Sequence, residues 1–511
     1  MFSAVFKKPD ELSDSLDDGN MALWPLFKIT LLVLLLLAAE NDGSGTADWV
    51  PLVNGSQYLH GEKPHDLFGW SIALSSDAST VAIGAIDSDN NGSASGQVRV
   101  YQLSDNGPHG SIIHVGTIEG DREGDYSGYS VSLDHRGNIL AIGAPEHQQG
   151  IGKVSIFRRV GKEWVQMGNC IEPTSAGAAG FGHTLVLSQD GYTIVVGAPY
   201  QDGNRGSVWT FTYNSTLDKW ESDGEPLLGD ESASSQFGYS VAISANANVL
   251  AVGAKNHPGP QSSSMDGQQA SRLKHSKGQV QVFLRDENGN WVLHAPPLYG
   301  AKQGDYFGFA LAFSHPGNRL AIGSPYTDTS AGRGAGIVKV IQLVPQAEEN
   351  ENGDQDNNHC SATRLTLVPV GLEIAGARAG DYFGYSVSLA ATGRRLAVGA
   401  RQAGELRGQV TVYDLEEDKV QPTSEQTHTA AWRECATPIN GDAASDQSGF
   451  AVALSAEGTH LAIGAPYHDG VPKKTEQSLA TGRTFNRLIN SGQTKIFHFA
   501  EKPGPREKTA A

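Results

Sequence analysis

The chain has 511 residues, with 56 Asp and Glu against 38 Lys and Arg, for a formal net charge of −18. An acidic chain without a basic stripe is repelled by a phosphate backbone, which argues against nucleic acid as a partner. Three cysteines without a CxxC or a Cys/His cluster exclude a dense disulfide framework and a structural zinc site, while 61 glycines stand well above the roughly 7 % of an average chain.

Residues 1–20 form an acidic N-terminal segment. Residues 21–39 follow as a hydrophobic signal or signal-anchor segment, whose core ITLLVLLLLAA spans residues 29–39. Such a core is short for an unaided membrane span of ~20 residues and fits a secretory core of ~7–15. Cleavage in the small-residue linker 40–48, for example after Ala47, would release a secreted chain. Retention would leave a single-pass helix, with Lys7, Lys8 and Lys28 favouring a cytoplasmic N-terminus. Both readings direct the remainder into the secretory pathway and out of the cell. The polar tail, residues 502–511, carries no lipid-anchor signal.

Residues 49–501 are dominated by one repeated unit. Seven segments carry Gly, then an aromatic residue or His, then alternating apolar positions, and end in an apolar run closed by Gly-Ala or Gly-Ser. The first glycines are Gly69, Gly128, Gly182, Gly238, Gly308, Gly384 and Gly449; the second are Gly84, Gly143, Gly197, Gly253, Gly323, Gly399 and Gly464. Every pair is 15 positions apart, whereas successive copies begin 54 to 76 positions apart. Alternation after the first glycine predicts a half-buried strand, and the continuous apolar run before the second predicts a strand buried on both faces. The turn between them holds glycine in five copies, with Ala78 and Ala247 in the other two, which predicts a positive φ at that position. A third strand opens on another glycine (GQVRVY, GKVSIF and their counterparts), and a fourth, weaker strand often begins with Trp.

Four antiparallel strands repeated seven times predict an all-β, seven-bladed β-propeller. The last copy lacks a fourth strand after Gly492–His498, and the segment before the first copy supplies one, with Trp49 and Gly61 at the matching positions. An N-terminal outer strand is therefore expected to close the ring. Trp49, Trp164, Trp220, Trp291 and Trp432 fall at this outer position, where rim packing is their expected role.

These seven segments resemble the FG-GAP repeats of the integrin α-subunit head, and more closely a short-hairpin variety of that repeat. The resemblance covers about Trp49 to Ala500 and implies a propeller used for adhesion and ligand binding. The calcium-binding form of the repeat carries a D-x-(D/N)-x-D-G-x-x-D hairpin between its first two strands. Here the hairpins read SSDAST, DHRGN, SQDGY, SANANV, SHPGN, AATGRR and SAEGT, so those metal sites are not carried over and no cofactor is assigned. Calcium stays open only at Asp87, Asp89 and Asn91, which open a D-x-D-x-N-G loop that no carboxylate closes.

From second glycine to third-strand glycine the connections span 12, 9, 9, 25, 13, 9 and 28 positions, so blades 4 and 7 carry the longest loops on that face. Three copies read Pro-Tyr-x-Asp there, making Tyr200, Asp202, Tyr326, Asp328, Tyr467 and Asp469 the ligand-binding candidates. Asp66, Asp125, Asp305, Asp381 and Asp446 recur three positions before the first glycine, where hydrogen bonds to local backbone are their simplest role. Asn54, Asn91 and Asn214 are glycosylation sequons in keeping with export, and Cys360–Cys435 is a candidate disulfide between neighbouring blades.

With no Gly-x-Ser-x-Gly elbow, phosphate loop or His-Glu-x-x-His, the sequence-based expectation is a non-enzymatic extracellular or cell-surface propeller that binds protein or glycan through variable loops on one face. The alternative is a glycan-active propeller enzyme with paired carboxylates at the central mouth. A lectin with one sugar pocket per blade junction would need equal loops, which this chain lacks.

Overall fold

The computed structural model describes residues 47–53, 58–104, 110–173, 179–231, 234–260, 276–346, 364–416, 430–470 and 489–501. The segments 1–20 and 21–39, the tail 502–511, Asn54 and Cys360 lie outside the described residues. Among the described residues no helix is long and apolar enough to cross a membrane.

Ala47–Ala500 is one compact unit of seven antiparallel sheets. In the first blade the strands are Phe68–Leu74, Thr80–Ala85, Gln97–Ser104 and Ser111–Glu119, each hydrogen-bonded to the next. In five blades a two-residue strand, such as Leu227–Leu228, also pairs with the first residues of the third strand. The second strands are buried along their whole length where they read TVAIGA, ILAIGA, TIVVGA and HLAIGA, as the unbroken apolar runs demand. First strands touch the first strands of both neighbouring blades around a closed circuit, which places them nearest the axis.

The glycine rows have a cause that turn geometry alone does not supply. A methyl group on any second glycine would overlap the carbonyl oxygen of the first glycine in the next blade: Gly84 against Gly128, Gly143 against Gly182, and so on to Gly464 against Gly69. The third-strand glycines repeat the arrangement one layer out, with Gly96 against Ser127 and Gly492 against Phe68, and single parallel β-bridges join most of these pairs. Neighbouring blades thus meet backbone to backbone. Ser71, Ser130, Ser240 and Ser386 add hydroxyl donors to the next blade's first-glycine carbonyl at 2.6–2.8 Å.

At the hairpin end the blades are also linked in a circle. His135 N–H donates to Gln189 O, Gln189 to Ala245, Ala245 to His315, His315 to Ala391, Ala391 to Ala456, and Ala456 to Ser76, at 2.8–3.0 Å. Asp77 N–H completes the circuit by donating to His135 O at 3.3 Å. Ala78 and Ala247 take φ of 59° and 56°, the left-handed conformation that glycine adopts at that turn in the other five blades. Phe68, Phe181 and Phe237 are fully buried between blades; Phe68 packs on Ile83 of its own blade and on Ala462 and Ile496 of the last. At the rim, Trp220, Trp291 and Trp432 donate their indole N–H to Met167 O, Thr210 Oγ1 and Val370 O of the preceding blade, at 2.8–2.9 Å.

Ring closure uses the predicted segment. Ala47–Pro51 is the outer strand of the seventh sheet, beside Gln493–Glu501, and Leu59–His60 pairs with Thr494 and Gln493. Trp49 lies 5.1 Å from Phe499 by ring centroids. Inside this seam His60 and His468 face each other at 5.5 Å, and Lys495 forms an ion pair with Asp442 beside them. Cys435, packed near Trp49, carries a thiol that burial and then Asp414 push up to about 11.

Two outcomes follow for stability. Gly464→Ala, which forces a methyl into the Gly69 carbonyl, is expected to cost more than ~4 kcal/mol, whereas Ala78→Gly relieves a left-handed alanine and should gain ~0.5 kcal/mol. Denaturant melts of both variants check the pair; a near-neutral Gly464→Ala would sink the backbone-contact account. Burial, then the neighbouring His468, pushes His60 from 6.5 down to about 4, and burial also lowers His468. The unfolded chain takes up protons near 6.5 that the folded seam refuses, so stability is retained above 6.5 and declines as pH falls from there toward 4. A pH series of melts on wild type and His60→Asn should show a shallower acid slope in the variant; identical slopes would remove His60 from the account.

Candidate ligand-binding site at the axial mouth

The residue after each first glycine faces the axis, and these seven side chains meet. Trp70, Tyr129, His183, Tyr239, Phe309, Tyr385 and Phe450 form a closed collar with successive centroid distances of 5.5, 5.0, 4.8, 5.2, 4.8, 5.2 and, back to Trp70, 4.7 Å. Neighbouring ring planes differ by 45–54°, close to the rotation of about 51° between blades of a sevenfold ring. The collar therefore obeys the symmetry of the scaffold although its seven residues are of four types. A heptagon with such edges puts the ring centroids roughly 6 Å from the axis.

A second tier sits on the collar. Tyr200, Tyr326 and Tyr467 approach His183, Phe309 and Phe450 edge-on, with centroids at 5.5, 6.0 and 6.3 Å. Three sequence-derived candidates, from blades 3, 5 and 7, are thus brought to one mouth. Their aspartates are not. Asp328 and Asp469 accept backbone N–H bonds from Gly334 (2.8 Å) and Asn490 (3.1 Å) in their own loops, and Asp202 is exposed in a left-handed turn.

Two cations complete the mouth. In blades 2, 3, 5 and 7 the second position after the second glycine is Pro145, Pro199, Pro325 or Pro466; in blade 1 it is Ile86, and in blades 4 and 6 it is Lys255 and Arg401. Lys255 Nζ lies 3.5 Å from the Tyr239 centroid and 5.4 Å from that of Phe309. Arg401 Cζ lies 4.2 Å over Tyr385 and 5.9 Å from Phe450. Cation–π contacts of this kind contribute about 0.5–2 kcal/mol each. Arg401 Nη1 donates to Gln447 Oε1 at 2.9 Å, while its buried Nε has no partner among the described residues. Burial lowers the Lys255 ammonium from 10.5 to about 8. His183, buried and then influenced by Lys255, falls to about 3 and stays neutral. Burial raises the phenols of Tyr129, Tyr239 and Tyr385, the last to about 12, so they remain donors at neutral pH. Exposed Glu146 stands at the rim and adds to the rise at Tyr129 and Tyr200. The arrangement offers fixed positive charge, an orphan N–H and protonated phenols on an aromatic floor. It suits an anionic or acceptor-rich group.

Other sequence-derived residues have local partners. Asp66 accepts from the N–H groups of Glu62 and Lys63 at 2.8 Å, Asp305 from Lys302 and Asp446 from Ala443 at 2.7 Å, and Asp125 pairs with His147 Nδ1 at 2.9 Å. Asp89 accepts from Ala94 N–H and Asn91 donates to Gly120 O, each bracing the loop that Asp87 opens. Among the described residues no group of three or more His, Cys, Asp or Glu is placed to hold a metal ion. The collar positions belong to the repeat motif and read as scaffold in the sequence. Lys255 and Arg401 went unread, though they are the two charged residues at a position that is proline in four copies and Ile86 in the remaining one.

The FG-GAP repeat family profile matches residues 61–101, the stretch holding Gly69 and Gly84, and the remaining six blades repeat that geometry. The chain is an FG-GAP β-propeller. No curated protein sequence matches the chain. Solved structures similar to this FG-GAP propeller include a protein described as a 6-phosphogluconolactonase from Bacteroides uniformis, with a TM-score of 0.46 and 13 % identity over 73 % of this chain and 86 % of that one. The periplasmic gluconolactonase of Pseudomonas aeruginosa gives a TM-score of 0.40 and 14 % identity over 72 % and 86 %. The Swd1 β-propeller domain from Myceliophteria thermophila gives 0.48 and 8 % over 88 % and 100 %. At these identities the likeness concerns the fold alone. The expectation of a non-enzyme does not stand: it rested on missing motifs and a propeller resemblance, and a propeller fold does not by itself exclude catalysis.

The mouth makes one spectroscopic prediction. In an NMR titration of the lysine side chains, one resonance should have its midpoint near pH 8 and vanish in Lys255→Met. A spectrum in which every lysine titrates above 10 would remove the buried cation from the site.

Proposed function

We propose that this FG-GAP propeller is an exported recognition protein that binds an acidic group of a protein or glycan partner at the axial mouth. Most of the length of the long connections of blades 4 and 7, which the sequence reading offers for partner contact, lies outside the described residues, at 261–275 and 471–488. The observation that carries this reading is the pair Lys255 and Arg401, held over the aromatic collar where four of the other five copies have proline and blade 1 has Ile86. Keeping an ammonium and a guanidinium half out of water opposes folding, and such a cost concentrates at functional sites. An incoming carboxylate or sulfate gains charge-assisted hydrogen bonds in a site of lowered dielectric. Protonated phenols and the unpaired Arg401 Nε–H add directional donors.

Export is supported by the apolar segment 21–39 and by the sequons. Asn91 is exposed, and Asn214 sits at the end of the hairpin strand Ser207–Asn214, where its Nδ2 now donates to Glu221 at 2.9 Å. Asn214 lies on the outer hairpin of its blade, where a glycan would meet no blade junction, whereas Asn91 lies in the connection between the second and third strands, its Nδ2 donating to Gly120 O at 2.9 Å.

Proximity labelling with the exported protein on its native cells tests the reading. Wild type should mark a reproducible set of surface partners, and Lys255→Met/Arg401→Met should lose at least nine-tenths of that signal while keeping a folded melt. Enzymatic removal of N-glycans should shift the mass of the native protein, less so in Asn214→Gln. An unchanged partner set in the double variant would refute the mouth as the site, and a native protein without glycan or surface location would refute export.

A further inference from the structure

A groove of about 1060 Å³ opens at the hairpin end of the ring, the end opposite the axial mouth, and runs across blades 2 and 3 to the first hairpin of blade 4. It begins at His135, Gln189 and Ala245 in the hydrogen-bonded hairpin circle and extends outward to Arg158 and Tyr213. Its buried base includes Ile139 and Met167.

Two features give it a chemistry. Tyr192 and Tyr213 lie side by side with centroids 6.1 Å apart and planes within 22°, Tyr192 being 47 % exposed, so the pair presents a flat apolar strip at the lip. The strip is held in place: Tyr213 N–H donates to Tyr192 O at 2.9 Å, and the Tyr213 hydroxyl bonds Asp218. Facing it from blade 2 are Arg136, Arg158 and Arg159. Arg136 and Arg158 are exposed, and among the described residues neither is held in an ion pair. The two carboxylates in the lining are engaged elsewhere. Asp134 accepts the N–H groups of Asn138 and Ile139 at 2.6 and 2.7 Å, and Asp190 accepts Tyr192 N–H at 3.0 Å and the Ser188 hydroxyl at 2.5 Å. In a chain of net charge −18, three arginines around one cleft mark a local reversal of sign.

We propose that this groove is a binding site for an anionic oligosaccharide. A pyranose ring has an apolar C–H face that packs on coplanar aromatic rings, and its sulfate or carboxylate substituents match the planar fork of arginine. The side-chain amides of Gln189 and Asn246 and the hydroxyl of Ser215 line the same space and suit sugar hydroxyls. An acidic peptide would use the arginines but would leave the tyrosine strip and these amides without ring and hydroxyl partners.

Titration calorimetry of the full chain with a heparin-derived hexasaccharide at 0.15 M salt tests the site. Wild type should bind. Arg136→Ala/Arg158→Ala should weaken binding at least tenfold and Tyr192→Ala about fivefold, with melting temperatures unchanged because these side chains are exposed. Hydroxyl-radical footprinting should show Tyr192 and Tyr213 shielded by the bound sugar. The proposal is overturned if wild type does not bind, if the double-arginine variant binds within twofold of wild type, or if shielding falls on the collar residues instead. Equal affinity for a hexaglutamate peptide would also overturn it, by assigning the groove to acidic protein segments.

Discussion

The structure depends on backbone meeting backbone at the blade junctions. Where a second glycine lies against the first-glycine carbonyl of the next blade, the distance between blades is set by main-chain atoms, not by side chains that differ from copy to copy. Seven junctions then share one spacing although their sequences diverge. Glycine in a strand costs ~0.5–1 kcal/mol against alanine, and the ring accepts that cost many times because each close approach excludes any larger residue. The unusual glycine content is thus a requirement of junction geometry as much as of turns.

Uniform junctions make the collar. Once the first strands stand at fixed angles and radius, whatever side chain follows each first glycine must arrive at the same ring, and seven aromatic or imidazole groups arrive in mutual contact. The scaffold fixes where a group points and leaves open which group it is. Lys255 and Arg401 exploit that freedom: at a position the scaffold fills adequately with proline, they place charge on the collar at some expense in desolvation. Function on this fold is best sought where one copy breaks a rule the other copies keep.

That principle also separates what the sequence disclosed from what it did not. The 15-residue glycine spacing announces paired strands because both glycines bracket a hairpin of fixed length, and the unmatched outer strand around Trp49 announces closure because every other blade has one. The positive φ at Ala78 and Ala247 follows from their alignment with hairpin glycines. The reason for the strict rows was less visible, since a Gly464–Gly69 contact joins residues nearly four hundred positions apart. The collar is a property of seven copies at once, and no window of one copy contains it. Tyr200, Tyr326 and Tyr467 were found because a short motif recurs, but the aspartates of that motif stay away from the mouth, Asp328 and Asp469 bonding their own loops and Asp202 lying exposed. The groove on blades 2 and 3 has no motif at all; Arg136, Arg158 and Tyr192 become neighbours only through strand register and blade order.

Charge links the two sites. A surface of net −18 repels acidic ligands at a distance, yet at physiological ionic strength that field decays over about 8 Å. Inside the mouth and the groove, fixed cations act at contact distances where screening is weak. An acidic ligand therefore receives no long-range steering and must be held by short-range geometry: aromatic planes for position, guanidinium and ammonium groups for charge. A protein working as proposed would discriminate by fit at the site, not by attraction to the surface, and its acidic exterior would suppress nonspecific capture of the same class of ligand.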